Sequence, residues 1–126
     1  MATNEQQEKK SLQAASPFHL MAKPAGPRCN MACEYCFYNE KNAMFPDGEA
    51  WRMPDAVLDA YIRQVAEALP GPELQYAFQG GEPTLAGLDF FRRVVELAGK
   101  YGAGRRVSYA LQTNGLLLDD EWCAFL

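Results

Sequence analysis

The stretch Leu74-Gln75-Tyr76-Ala77-Phe78-Gln79-Gly80-Gly81-Glu82-Pro83 decides the fold. Leu74, Tyr76 and Phe78 alternate with Gln75, Ala77 and Gln79, the period of a β-strand. The double glycine stops the strand. Upstream, Val57, Leu58, Tyr61, Ile62, Val65 and Leu69 repeat at helical spacing. Pro54 suits the first turn of that helix, Asp55 suits its positive end, and Pro70-Gly71-Pro72 closes it. Downstream, a second helix runs from about Leu88 to Lys100, with Phe91, Val94, Val95 and Ala98 on one face, and Gly102 and Gly104 break it. Val107, Tyr109 and Leu111 alternate with Ser108, Ala110 and Gln112 as a further strand. Thr113-Asn114-Gly115 then turns the chain, and Asp119 caps a third helix that has barely begun at Leu126. At the other end, Phe18 to Lys23 reads as a short strand, ended by Pro24 and Gly26-Pro27. A long loop follows, from Ala25 to about Arg52; long loops in compact domains are usually functional.

The order is strand, helix, strand, helix, strand, start of helix. That is an α/β pattern of parallel strands with helical crossovers. The bulky strand faces pack on the helices. The face carrying Gln75, Ala77, Gln79, Ser108, Ala110 and Gln112 looks the other way, inward if the sheet curls into a barrel. Three motif-rich segments fall just after strands: Cys29 to Cys36, Gly80 to Pro83 and Gln112 to Gly115. Ligands in strand–helix folds bind at the carboxyl ends of the strands, so these segments are expected to converge on one rim.

The 126 residues suffice for one domain. A net charge of -4 implies no strong attraction to nucleic acid or to an anionic membrane. No apolar run approaches the length of a membrane span. Residues 1–16 are polar, lack the apolar core of a signal peptide and read as a mobile tail, leaving 17–126 as the domain. The expected setting is cytoplasmic and reducing, where four cysteines point to metal binding or catalysis rather than disulfides.

Cys29-Asn30-Met31-Ala32-Cys33-Glu34-Tyr35-Cys36 carries the chemistry. Cysteine thiolates hold iron–sulfur clusters, and three ligands to a cubane leave one iron open for a small molecule. A zinc site would normally take a fourth Cys or His. Cys123 is distant, and the single histidine, His19, precedes the loop. Three unrelated thiols is the other plain alternative; the spacing favours the iron–sulfur site. Tyr35 either packs beside a planar base or anchors the loop in the core. Gly80-Gly81 either admits close backbone approach to an amino or carboxylate group or is a plain tight turn. Glu82 is open to a capping role before the second helix. Gln79 and Gln112 are candidates for polar pocket contacts, whereas Asn114-Gly115 reads first as a turn. Cys123, beside Trp122, reads as a small buried apolar residue.

Together these residues resemble the radical S-adenosylmethionine (SAM) superfamily, through the Cys-x3-Cys-x2-Cys spacing and Gly80-Gly81-Glu82-Pro83. Phe18 to Pro24, Cys36-Phe37-Tyr38, Gln79 to Gly87 and Leu111 to Gly115 are similar to the anaerobic sulfatase-maturating enzymes. The resemblance implies the N-terminal half of a partial (β/α)6 barrel. It implies a [4Fe–4S] cluster on Cys29, Cys33 and Cys36, whose open iron binds the amino and carboxylate groups of SAM. Tyr35 would contact the adenine region, Gly80 and Gly81 would meet the methionine end, and Glu82 would support that contact. The implied activity is radical SAM oxidoreductase chemistry: a 5′-deoxyadenosyl radical oxidises a Cys or Ser of an unfolded sulfatase polypeptide to Cα-formylglycine. A low-potential electron donor is implied as a second partner, with neither nucleic acid nor membrane.

The family's later strand–helix units, general base and auxiliary-cluster cysteines would lie beyond Leu126. The chain is therefore expected to be an N-terminal fragment, inactive alone because a half-barrel cannot enclose a radical. No catalytic residue is assignable within it. A related radical SAM maturase of other peptides is the near alternative. A non-enzymatic zinc-binding module is the alternative from a different class.

Overall fold

The computed structural model describes residues 3–5, 13–45 and 51–126. Residues 1–2 and 6–12 of the polar N-terminal stretch lie outside the described residues, so the tail is not tested there. Three parallel strands form one sheet: β1 (Met21–Ala22), β2 (Glu73–Phe78) and β3 (Arg106–Leu111), in the order β1-β2-β3. The register pairs Met21 with Ala77 and Ala22 with Phe78, and β2 with β3 from Glu73–Arg106 to Phe78–Leu111. The helices are α1 (Asp55–Ala68), α2 (Leu88–Tyr101) and the short α3 (Asp120–Phe125).

The core forms where the periodicities meet. Leu74, Tyr76 and Phe78 of β2 are buried against Leu58, Ile62 and Val65 of α1 and Phe90, Phe91, Val94 and Leu97 of α2. Edge-on aromatic contacts join the layers, with Phe78 5.4 Å from Phe91 and Phe91 5.3 Å from Trp122 between ring centres. The Tyr76 hydroxyl, which needs a partner when buried, donates to the Ile62 carbonyl at 3.0 Å. Arg105 donates to the Ala66 and Leu69 carbonyls (2.7 and 2.8 Å), satisfying acceptors that the end of α1 leaves free. The Asp119 side chain accepts the Trp122 N–H at 3.0 Å, the cap read from the sequence.

Several expectations change. The first strand is confined to Met21–Ala22, because it pairs with β2 only at Ala77 and Phe78, while Phe18 to Leu20 stay exposed. The long loop contains a 3-10 helix at Asn39–Met44. Val57 and Val95, placed on the buried stripes by spacing, are exposed. Each lies at the margin of its stripe, where no further layer covers the helix. Cys123 is exposed and Trp122 is the buried member of the pair. One residue is about 100° around a helix, so the large ring facing Phe91 turns the thiol outward.

Candidate functional site

Four backbone hydrogen bonds frame the cysteine loop, and two of them, from Gly81 and Glu82, tie it to the turn after β2. Gln79 N–H donates to the Ala22 carbonyl (3.0 Å), Gly81 to Gly26 (2.9 Å), Glu82 to Arg28 (2.6 Å) and Met53 to Pro24 (2.7 Å). Gly81 is where loop and turn come closest. A Cβ there would lie 1.9 Å from the Arg28 carbonyl oxygen, so only glycine allows the approach. Gly80 has φ +138°, and a Cβ there would meet the Gly26 oxygen at 2.7 Å. The double glycine thus serves the protein's own loop first. The Gly81 and Glu82 amides are consumed by it. The Gly80 and Gly81 carbonyls accept no hydrogen bond from any described residue.

The three motif-rich segments do converge. Cys29, Cys33, Tyr35 and Cys36 line one wall of a cavity of about 330 Å³, and Gln79 to Glu82 with Gln112 to Asn114 line the facing wall. His19, Gly115 and Cys123 do not line it. The three cysteines are partly exposed, and Tyr35 is 92% exposed, so it is not a core anchor. The Asn39 side chain donates to the Cys33 carbonyl (2.7 Å) and the Cys36 N–H to the same carbonyl (2.9 Å), which shapes the tight Cys33–Cys36 turn. Gln79 and Gln112 spend one polar group each on one another, Nε2 to Oε1 at 2.9 Å.

Glu82 is the residue whose role the sequence missed. It is 1% exposed, yet it does not face the cavity as a free carboxylate. Oε1 accepts from the Thr84 N–H (3.2 Å), the Thr84 hydroxyl (2.6 Å) and the Thr113 hydroxyl (2.5 Å), and Oε2 accepts the Asn114 N–H (2.8 Å). Burial alone pushes its pKa up. The hydrogen bonds from Asn114, Thr113 and Thr84 outweigh that and hold the carboxyl below its ordinary value. Glu82 is also the cap of the turn Pro83–Ala86, in keeping with the capping role left open by the sequence. The only signal for its longer-range partners was the hydroxyl and amide content of Thr113-Asn114 after β3.

Three thiols lining one cavity match the chemistry of an iron–sulfur cluster, which cysteine thiolates hold. Among the described residues no set of three or more His, Cys, Asp or Glu side chains is arranged to hold one metal ion.

Parallel strands with helices on one face, and a three-cysteine loop seated on the strand ends, define a strand–helix protein with three thiols on its strand-end rim. The chain belongs to the Radical SAM superfamily, which it matches over residues 24–126. Members of that family use a [4Fe–4S] cluster and SAM. The chain is 39% identical over 111 residues to the serine-type anaerobic sulfatase-maturating enzyme of Bacteroides thetaiotaomicron, covering 88% of this chain and 27% of that protein. It is 40% identical over 111 residues to the cysteine-type enzyme of Clostridium perfringens, covering 87% and 30%. A solved structure of native anSMEcpe with bound AdoMet and Cp18Cys peptide superposes with a TM-score of 0.70 at 41% identity, covering 85% of this chain and 27% of that one. The chain therefore spans about 27 to 30% of the length of these curated relatives. No helix among the described residues is long and apolar enough to cross a membrane.

Proposed function

We propose that this chain is the cofactor-binding part of a radical SAM sulfatase-maturating enzyme, with residues 17–126 forming the N-terminal part of the radical SAM core domain. The observation that carries the reading is the shared cavity of Cys29, Cys33 and Cys36 with the double glycine and the end of β3. Cys29, Cys33 and Cys36 would anchor the [4Fe–4S] cluster. When bound, the cluster and SAM would supply 5′-deoxyadenosyl radical chemistry, directed at a Cys or Ser of an unfolded sulfatase polypeptide whose product is Cα-formylglycine.

The chain's own residues bind and orient. The Gly80 and Gly81 carbonyls, which accept from no described residue, accept from the methionine ammonium. Tyr35, exposed on the cavity wall, offers its ring to the adenine. Glu82 holds the two strand ends in register from beneath the site. The setting is cytoplasmic, with a low-potential electron donor as the second partner.

Anaerobic reconstitution with iron and sulfide tests the cofactor. A broad visible absorbance that is lost in Cys33→Ala supports the cluster; a tight, colourless zinc complex with no such band overturns it in favour of a zinc module. Mass spectrometry on a sulfatase peptide bearing the target Cys or Ser, treated with full-length protein, tests the substrate. Formylglycine supports maturation, and its absence beside modification of another peptide assigns the protein to the related peptide maturases.

A further inference from the structure

We propose that Asn114 is a positioning residue that hydrogen-bonds to the sulfur of Cys29 and raises the reduction potential of the cluster held there. This rests on the [4Fe–4S] reading above. The backbone N–H and the side-chain polar atoms of Asn114 are all assigned. Its backbone N–H donates to Glu82 Oε2 (2.8 Å), and its Oδ1 accepts the Leu116 N–H (3.0 Å). That second contact orients the carboxamide, because the opposite orientation would set two donors face to face. The remaining two N–H groups on Nδ2 go to Asn30 Oδ1 (2.8 Å) and Cys29 Sγ (3.7 Å). Cys29 Sγ also accepts the Met31 N–H at 3.4 Å.

The three thiols are therefore unequal. The Cys33 and Cys36 sulfurs accept no hydrogen bond from any described residue, whereas Cys29 accepts two. A ligating cysteine is a thiolate and only accepts, so both contacts become charge-assisted on cluster binding. Adding one electron places further negative charge on the cluster and its sulfurs. N–H dipoles aimed at a sulfur stabilise that reduced state, and hydrogen bonding to the sulfurs is one of the terms that set cluster potentials. Glu82 acts through Asn114: it grips the backbone N–H next to the side chain that reaches Cys29, linking the Gly-Gly-Glu turn to a single sulfur of the cysteine loop.

The test is an anaerobic dithionite titration of the reconstituted protein, followed by visible absorbance and electron paramagnetic resonance. Wild type, Asn114→Ala and Asn114→Asp are compared. The expected result is a more negative midpoint in Asn114→Ala. Asn114→Asp keeps the Oδ1 that orients the turn and removes the donor; it shifts at least as far. A wild-type midpoint in loaded Asn114→Ala or Asn114→Asp overturns the inference and leaves the cluster reading intact. Failure of both Asn114 variants to load beside a loaded wild type also overturns it, since Asn114 would then build the site rather than tune it. A wild type that takes up no cluster overturns the cluster reading itself.

Discussion

The carboxylate of Glu82 accepts the backbone N–H of Asn114 at 2.8 Å, joining the turn after β2 to the turn after β3. The two residues are far apart in sequence and adjacent only because β2 and β3 pair in parallel from Glu73–Arg106 to Phe78–Leu111. The Glu82 side chain, open to a capping role in the sequence, is also a strut between strand ends.

Replacing Glu82 by Gln leaves a side-chain amide facing the Asn114 N–H or the threonine donors, with at least one buried group unpaired. The expected cost is about 1–3 kcal/mol, read as a lower urea midpoint. The pH dependence has a definite sign. A carboxyl whose folded pKa lies below its unfolded value stabilises fully above the unfolded pKa, and that stability is lost as pH falls through the folded pKa. Wild-type urea midpoints should therefore fall on acidification below the ordinary glutamate pKa of about 4.3, and Glu82→Gln should remove that part of the slope.

Gly81→Ala is expected to destabilise by about 1–3 kcal/mol or more, since its Cβ would sit 1.9 Å from the rigid Arg28 carbonyl oxygen. Cluster uptake should fall with it, because the displaced segment leads directly into Cys29. Gly99→Ala is the control: it lies within α2 with nothing within 4 Å of a built Cβ, and should stabilise by about 0.5–1 kcal/mol. Thermal melts of the two variants should move in opposite directions.

Tyr76 and Tyr61 have their pKa values pushed up to about 12, in each case chiefly by burial. A raised folded pKa gives stability that is fully present below the unfolded value near 10 and lost as pH rises through the folded one. Unfolding midpoints should decline between about pH 10 and 12. Phenolate absorbance of these two rings should appear together with the loss of structure. Tyr76→Phe should weaken this alkaline slope and cost about 1 kcal/mol at neutral pH through the lost bond to the Ile62 carbonyl.

Trp122→Ala should cost about 3–5 kcal/mol. Its ring is 5% exposed against Phe91, and the short α3 has no other buried residue. Cys123→Ala, one position on and exposed, should leave the melt within about 0.5 kcal/mol of wild type.

Periodicity was a sound guide wherever a residue's neighbours are local or generic. The alternation of Leu74, Tyr76 and Phe78 marked a strand face buried against two helices, and the helical repeats marked α1 and α2. It misplaced Val57, Val95 and Cys123, because a repeat gives an angle around a helix axis but not how far the covering layer extends. Phe18 to Leu20 have strand-like composition, yet pairing requires a partner in register, and β2 supplies one only at Met21 and Ala22.

By itself the sequence determined the chemistry and its order along the chain: three thiols in one short loop, a double glycine after a strand, and a polar turn after the next. These are properties of residue type and spacing, which covalent connectivity carries without folding. Only the tertiary structure decided that the Gly81 amide serves Gly26 rather than a ligand, that Glu82 is buried under four donors, and that Asn114 reaches Cys29. Each of those depends on atoms distant in sequence meeting within hydrogen-bond range, which strand register fixes and local pattern does not encode.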